Sequence, residues 1–168
     1  YIDNQGNRVE GYLKSADYDA INDIGFRQLE FKTDLNQDAE KVEKFNVLEF
    51  GYNGQMKIQK MKAKIDNVNL NTDFGYYKEF TTKEANVFLK VLVEGQATLY
   101  SYDAGYGTKY LYKIQGKNDA AIQLLYKKYL KSSNMLEENN MFRQQLFYNI
   151  KCEDQTYNDF LNVKYDEN

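Results

Sequence analysis

Histidine is absent from the 168 residues, and cysteine occurs once, at Cys152. Each absence removes a class of chemistry. Without His the chain lacks the commonest general base and metal ligand, and a lone Cys has neither an internal disulfide partner nor the His that activates a thiol nucleophile. No GxGxxG, P-loop, GxSxG or zinc-ligand spacing occurs, so the sequence names no catalytic residue, no metal ligand and no cofactor site. There is no run of ~18 apolar residues, hence no expected transmembrane segment, and no signal peptide or lipidation motif. With 22 basic against 25 acidic residues and a net charge of −3, nothing draws the chain to nucleic acid.

What the chain does have is rings. Its mean hydropathy is −0.77, yet 16 Tyr and 10 Phe supply apolar area that the hydropathy scale hides. A disordered segment has few aromatics and a high net charge; this chain has neither property, and its length suits one domain over 1–168.

The stretch Val87 to Ile114 reads as a three-stranded meander with turns at Glu94-Gly95 and at 103–107. A two-residue loop at Glu94-Gly95 places Val91 opposite Thr98 and Leu89 opposite Tyr100. A five-residue second loop then sets Tyr110 opposite Tyr100 and Tyr112 opposite Thr98. Because side chains alternate, Tyr100, Tyr102, Tyr110 and Tyr112 share one face in this register, and a one-residue slip would exchange the faces.

Earlier in the chain, Tyr1–Asp3 and Arg8–Leu13 flank a Gly/Asn turn, 27–32 and 41–45 alternate as strands, and 15–26 reads as a loop. Asn53-Gly54 between two β-rich arms, 47–52 and 55–65, is the clearest hairpin signal. Within the second arm, Met56 and Ile58 follow one phase and Met61, Ala63 and Ile65 the other, which predicts a bulge near Gln59-Lys60. After 116 the pattern changes. Ile122, Leu125, Tyr126 and Tyr129 recur at helical spacing within 117–130, Phe142, Leu146 and Ile150 within 137–150, and Thr156 with Asp159 has capping-box spacing. The expected fold is therefore α+β: a curved antiparallel sheet of about eight strands in residues 1–114, the β-rich part running to 116, followed by two or three helices in 117–163 that cover one face. Leu125, Tyr129, Leu146 and Ile150 are expected to face the sheet.

Among possible sites, the run Asn67, Asn69, Asn71, Asp73 alternates like the start of a calcium loop, but Thr72 and Lys78 stand where Gly and Glu are needed, so it reads as a polar connection. Scattered carboxylates need no special explanation; an acid–base pair would require two of them converging about 5 to 9.5 Å apart in a cleft. The four tyrosines are the one constellation with binding potential, as a flat platform for sugars or other small molecules. The alternative, that they form the surface beneath the helices, is favoured because two amphipathic helices follow and need cover.

Gly6–Leu13 (GNRVEGYL), Ala63–Asp66 (AKID), Phe88–Gly95 (FLKVLVEG) with Ala97–Tyr100 (ATLY), Tyr126–Tyr129 (YKKY) and Asn139–Cys152 (NNMFRQQLFYNIKC) together resemble the amino-terminal soluble region of uncharacterised exported Bacteroidetes proteins that precede an outer-membrane β-barrel. The resemblance implies a cell-envelope location on the periplasmic or surface side, a non-enzymatic interaction or structural role, and a protein partner or the protein's own downstream membrane domain as the surface it meets. Small-molecule or glycan binding through the tyrosine face is the alternative. The start at Tyr1 rather than Met reads as a fragment or processed product. In an oxidising compartment an unpaired thiol is a liability, so the resemblance also implies that Cys152 pairs with a cysteine beyond Asn168, the alternative being a buried thiol that packs as a small hydrophobe.

Overall fold

Five strands close on themselves: β6 (Met56–Asp66), β7 (Thr82–Val93), β8 (Ala97–Asp103), β9 (Thr108–Ile114) and β10 (Ala121–Gln123) pair in that order, and β6 pairs with both β7 and β10. The computed structural model describes residues 1–13, 28–52, 54, 56–66, 75–103, 107–117 and 119–166. Each successive pair in the ring is antiparallel, and with an odd number of strands the last must run the same way as the first. Accordingly β10 pairs with β6 in parallel, Ala121 beside Ala63. Closure removes both open sheet edges. Ala63, Ile65, Leu89, Tyr100, Leu111 and Ala121 fill the interior, contributed by all five strands.

The sheet continues from β6 to β5 (Val47–Tyr52) and on to β1 (Ile2–Asp3). A second, three-stranded sheet of β2 (Tyr12–Leu13), β3 (Gln28–Lys32) and β4 (Glu40–Glu43) packs on this extension. Leu29, Phe31, Val47, Phe50, Ile58 and Phe88 form the core between them. The expected bulge in β6 is absent: Ile58 to Asp66 pair with β7 in unbroken register. Its change of phase has another cause. The strand passes from one core to a second on the opposite face, so Met56 and Ile58 serve the first and Met61, Ala63 and Ile65 the second. The hairpin between β5 and β6 is present but one residue wider than the expected two-residue Asn-Gly turn, with Tyr52 opposite Met56 and Gly54 at φ 68°, where glycine meets no Cβ penalty. The expectations for 15–26 and for the run Asn67–Asp73 fall outside the described residues.

The α+β expectation is overturned. The molecule is mostly β, and among the described residues it has one α-helix, α1 (Met141–Asn149). The helix expected over 117–130 is instead β10, a short connection, and β11 (Lys127–Ser132), which pairs with β12 (Met135–Asn139). The reason is that β10 is covered on both faces. Ala121 points into the barrel and Ile122 into the layer outside it, and a strand buried on two sides loses its period-2 signature. The second expected helix survives only from Met141 onward, with Phe142, Leu146 and Ile150 on its packed stripe. The third is a single 3-10 turn, Tyr157–Phe160, although the capping box between Thr156 and Asp159 is formed.

The layer outside the barrel is an aromatic cluster. Tyr165 stacks on Tyr126 with ring centroids 4.8 Å apart and meets Tyr110 and Phe142 edge-on. Its hydroxyl accepts from the Tyr110 amide at 3.0 Å and donates to the Leu124 carbonyl at 2.9 Å, completing backbone pairing where β10 has ended. The Gln145 side chain accepts from the Leu125 amide at 2.7 Å and donates to the Gln123 carbonyl at 2.9 Å, which ties α1 to the same place.

This burial predicts an alkaline limit. Loss of solvent raises the phenols of Tyr165, Tyr112 and Tyr126 above the ordinary 10.0, that of Tyr126 to about 12 with help from its bond to Glu138. An acid whose folded pKa is raised costs no stability below its unfolded pKa. Above that pH the unfolded chain ionises first and gains. The urea midpoint is therefore expected to fall as pH climbs from 10 towards 12; a midpoint that does not move over that interval would contradict the burial of these hydroxyls.

Candidate functional site

The four tyrosines do not share a face. Tyr100 and Tyr102 point into the barrel, whereas Tyr110 and Tyr112 lie outside it against α1 and Tyr165. The second meander loop accounts for this. Asp103 pairs with Thr108, so the connection has one residue fewer than expected, Tyr110 faces Ser101, and Leu111 takes the place beside Tyr100. The first turn keeps its faces, because Val91 rather than Leu89 meets Tyr100, a shift of two residues that preserves alternation. Tyr100, Tyr110 and Tyr112 are buried and Tyr102 is half-buried, so these rings are parts of two cores. Cys152 is exposed just after α1. No group of three or more Cys, Asp or Glu side chains suited to a metal ion occurs among the described residues.

One end of the barrel is closed by charge. Lys109 on β9 reaches Asp66 at the end of β6, its Nζ 2.5 Å from Oδ1 and 2.7 Å from the Asp66 carbonyl. Gln123 on β10 donates to the other carboxylate oxygen at 3.0 Å and accepts from the Asp66 amide at 2.9 Å. The two charged side chains are 2% and 0% exposed. No solvent reaches this network, and the three residues bind three barrel strands together, so the group reads as structural.

The barrel's other end adjoins a cleft of about 760 Å³ between the β1–β2 segment and the β5–β6 hairpin. Tyr1, Tyr12 and Tyr52 bring rings to it, and Glu49, Lys57 and Glu94 bring charge. Local geometry explains each position. Gly11 lets β2 press against β3: a Cβ there would lie 2.1 Å from the Lys32 carbonyl oxygen. That close approach delivers Tyr12 to the rim, where it is 50% exposed. Tyr1 is fixed edge-on to Phe31, with centroids 5.0 Å apart. Lys57 lies opposite Gly51 on the β5–β6 ladder and reaches across to the turn after β7. Its Nζ is 2.7 Å from Glu94 Oε1 and 3.7 Å from Glu49 Oε2, and Glu49 also accepts from Gln59 at 2.8 Å. The hydrogen bond to Glu94 is the main reason the Lys57 ammonium titrates above its ordinary 10.5.

No local motif announces this cleft, because its walls come from residues 1–2, 8–13, 31, 49–52, 54, 56–57 and 94, which only the tertiary fold assembles. Comparison with family models, curated proteins and solved structures finds no match to the chain. No helix among the described residues is long and apolar enough to cross a membrane.

Proposed function

We propose that the chain is a non-enzymatic interaction module of the cell envelope whose working surface is the cleft between β1–β2 and β5–β6. The observation that carries this is the state of the charged groups there. Glu49 and Glu94 converge, but the Lys57 ammonium occupies the space between them. A carboxylate pair acting as acid and base leaves that space to the substrate and a water. Held by Lys57, the two acids become fixed acceptors, and half-exposed tyrosine rings beside them give the mix of apolar surface and a few oriented polar groups typical of a binding site. The compartment, and a protein partner or a downstream membrane domain as neighbour, rest on the sequence resemblance to exported Bacteroidetes proteins.

The test is an NMR screen of the chain against a chemically diverse fragment library. Binders are expected to shift amides of Gly51, Lys57 and Glu94 and to be recovered unchanged after prolonged incubation. Binders concentrated elsewhere, or converted to products, would defeat the reading.

A further inference from the structure

From the same cleft we infer the chemical class of its ligand, a neutral oligosaccharide, an inference that rests on the cleft being the working surface. Three features of the wall select it. The first is the pairing of aromatic faces with hydroxyl-matching groups: a pyranose ring has an apolar C–H face and a polar rim, and the half-exposed Tyr12 lines the same wall as the charged donors and acceptors. The second is the Lys57–Glu94 pair itself. A donor and an acceptor 2.7 Å apart match a vicinal diol, in which one hydroxyl donates to the carboxylate as its neighbour accepts from the ammonium, both as charge-assisted bonds.

The third is charge balance. Glu10 is matched by Arg8, 2.7 Å away, Lys57 serves both Glu49 and Glu94, and the Tyr1 amino group interacts with Glu49 and Glu10, so the wall's acids and bases balance. Phosphates, uronic acids and other anions find no uncompensated cation there, so the favoured occupant is uncharged. An extended peptide would need a free strand edge. β1 already covers β5 at Val47 and Glu49, and neither the remaining stretch of β5 nor the two-residue edge strand β2 is long enough for strand addition. The volume of about 760 Å³ lies within the range of small-ligand sites, roughly 300–1,000 Å³.

The experiment titrates the whole chain with maltotriose, cellotriose and chitotriose, and with trigalacturonate, trialanine and trilysine as contrasts, following amide shifts by NMR and affinity by calorimetry. At least one neutral trisaccharide is expected to shift Gly51, Lys57 and Glu94 while trigalacturonate does not. Tyr12→Ala is expected to weaken that binding about tenfold, as loss of one stacking ring does, whereas Tyr12→Phe retains it. Glu94→Gln is expected to weaken it by a similar factor, roughly tenfold, through loss of the charged acceptor. Unchanged denaturation midpoints for these surface variants separate lost contact from lost fold. If peptides or the anionic sugar shift the cleft and neutral sugars do not, the saccharide inference falls and the cleft reading stands. Sugar binding that Tyr12→Ala leaves intact also overturns the inference, and a cleft untouched by every probe removes both.

Discussion

Lys109→Met is expected to lower the unfolding free energy by about 3–5 kcal/mol, the effect of leaving one member of a buried ion pair without its partner. The substitution keeps the length of the side chain and removes its charge, so Asp66 loses the donor 2.5 Å from its Oδ1 while remaining shut away from water. Gln123 still donates to Oδ2, but one neutral amide does not replace an ammonium. The companion variant carries the argument further. Adding Asp66→Asn to Lys109→Met removes the stranded charge and is expected to restore much of the loss, since buried pairs owe little net stability to their mutual attraction and a great deal to not being half removed. Urea denaturation of the single and double variants checks both statements. An unchanged midpoint for Lys109→Met, or a double variant as weak as the single one, would show that the pair is not sealed as described.

The second large effect is at Phe142, for which replacement by Ala is expected to destabilise by about 3–5 kcal/mol. The ring is 2% exposed and is flanked edge-on by Tyr126 and Tyr165. Its removal opens a void that the stacked tyrosines cannot fill without giving up the Tyr165 hydroxyl bonds to β9 and to Leu124. Leu146, one turn further on, lies at the edge of the same cluster and is only half-buried. For Leu146→Ala a smaller loss of roughly 1–2 kcal/mol is expected, in line with its smaller buried area. Thermal or chemical denaturation ranks the two, and a reversed order would displace Phe142 from the centre of the layer.

Local signals in the sequence carried over well. Alternation marked β3 and the part of 41–45 that is β4, Lys44 and Phe45 entering a 3-10 turn instead; β-rich runs beside turn residues marked β5 and β8, Asn53-Gly54 marked a hairpin that closes at Tyr52 and Met56, and the spacing of Phe142, Leu146 and Ile150 marked the packed stripe of α1. The Thr156–Asp159 capping box formed around one turn of 3-10 helix instead of a longer one. The failures share a physical origin, namely that the deciding partner lay far away. Residues 121–126 look helical because two separate layers demand apolar side chains from them, and the demand from β6 is a parallel pairing that no nearby residue reveals. The tyrosine face dissolved through one residue of loop length at 104–107, which inverted β9 and placed Leu111 and Lys109 inside the barrel. The same inversion carries the Lys109 ammonium to Asp66. The cleft was invisible because Gly11, Glu49 and Glu94 belong to three different elements, each unremarkable alone.

Closing a five-stranded meander in parallel also fixes an order of events as the chain is made. The closing strand carries Gln123, 57 residues beyond its partner Asp66, so at about 5–20 residues per second the side of β6 that β10 will cover waits roughly 3–11 s, only about the last second of it as a complete β6–β9 ribbon. During that interval the side of β6 that β10 will occupy is an open template for pairing with a neighbouring nascent chain. Asp66 on β6 and Lys109 on β9 belong to the two outer strands of that ribbon, and charge at an open edge discourages such pairing. They become a dry lock when β10 arrives with Gln123. One pair of side chains thus latches together two strands that the meander itself leaves three places apart.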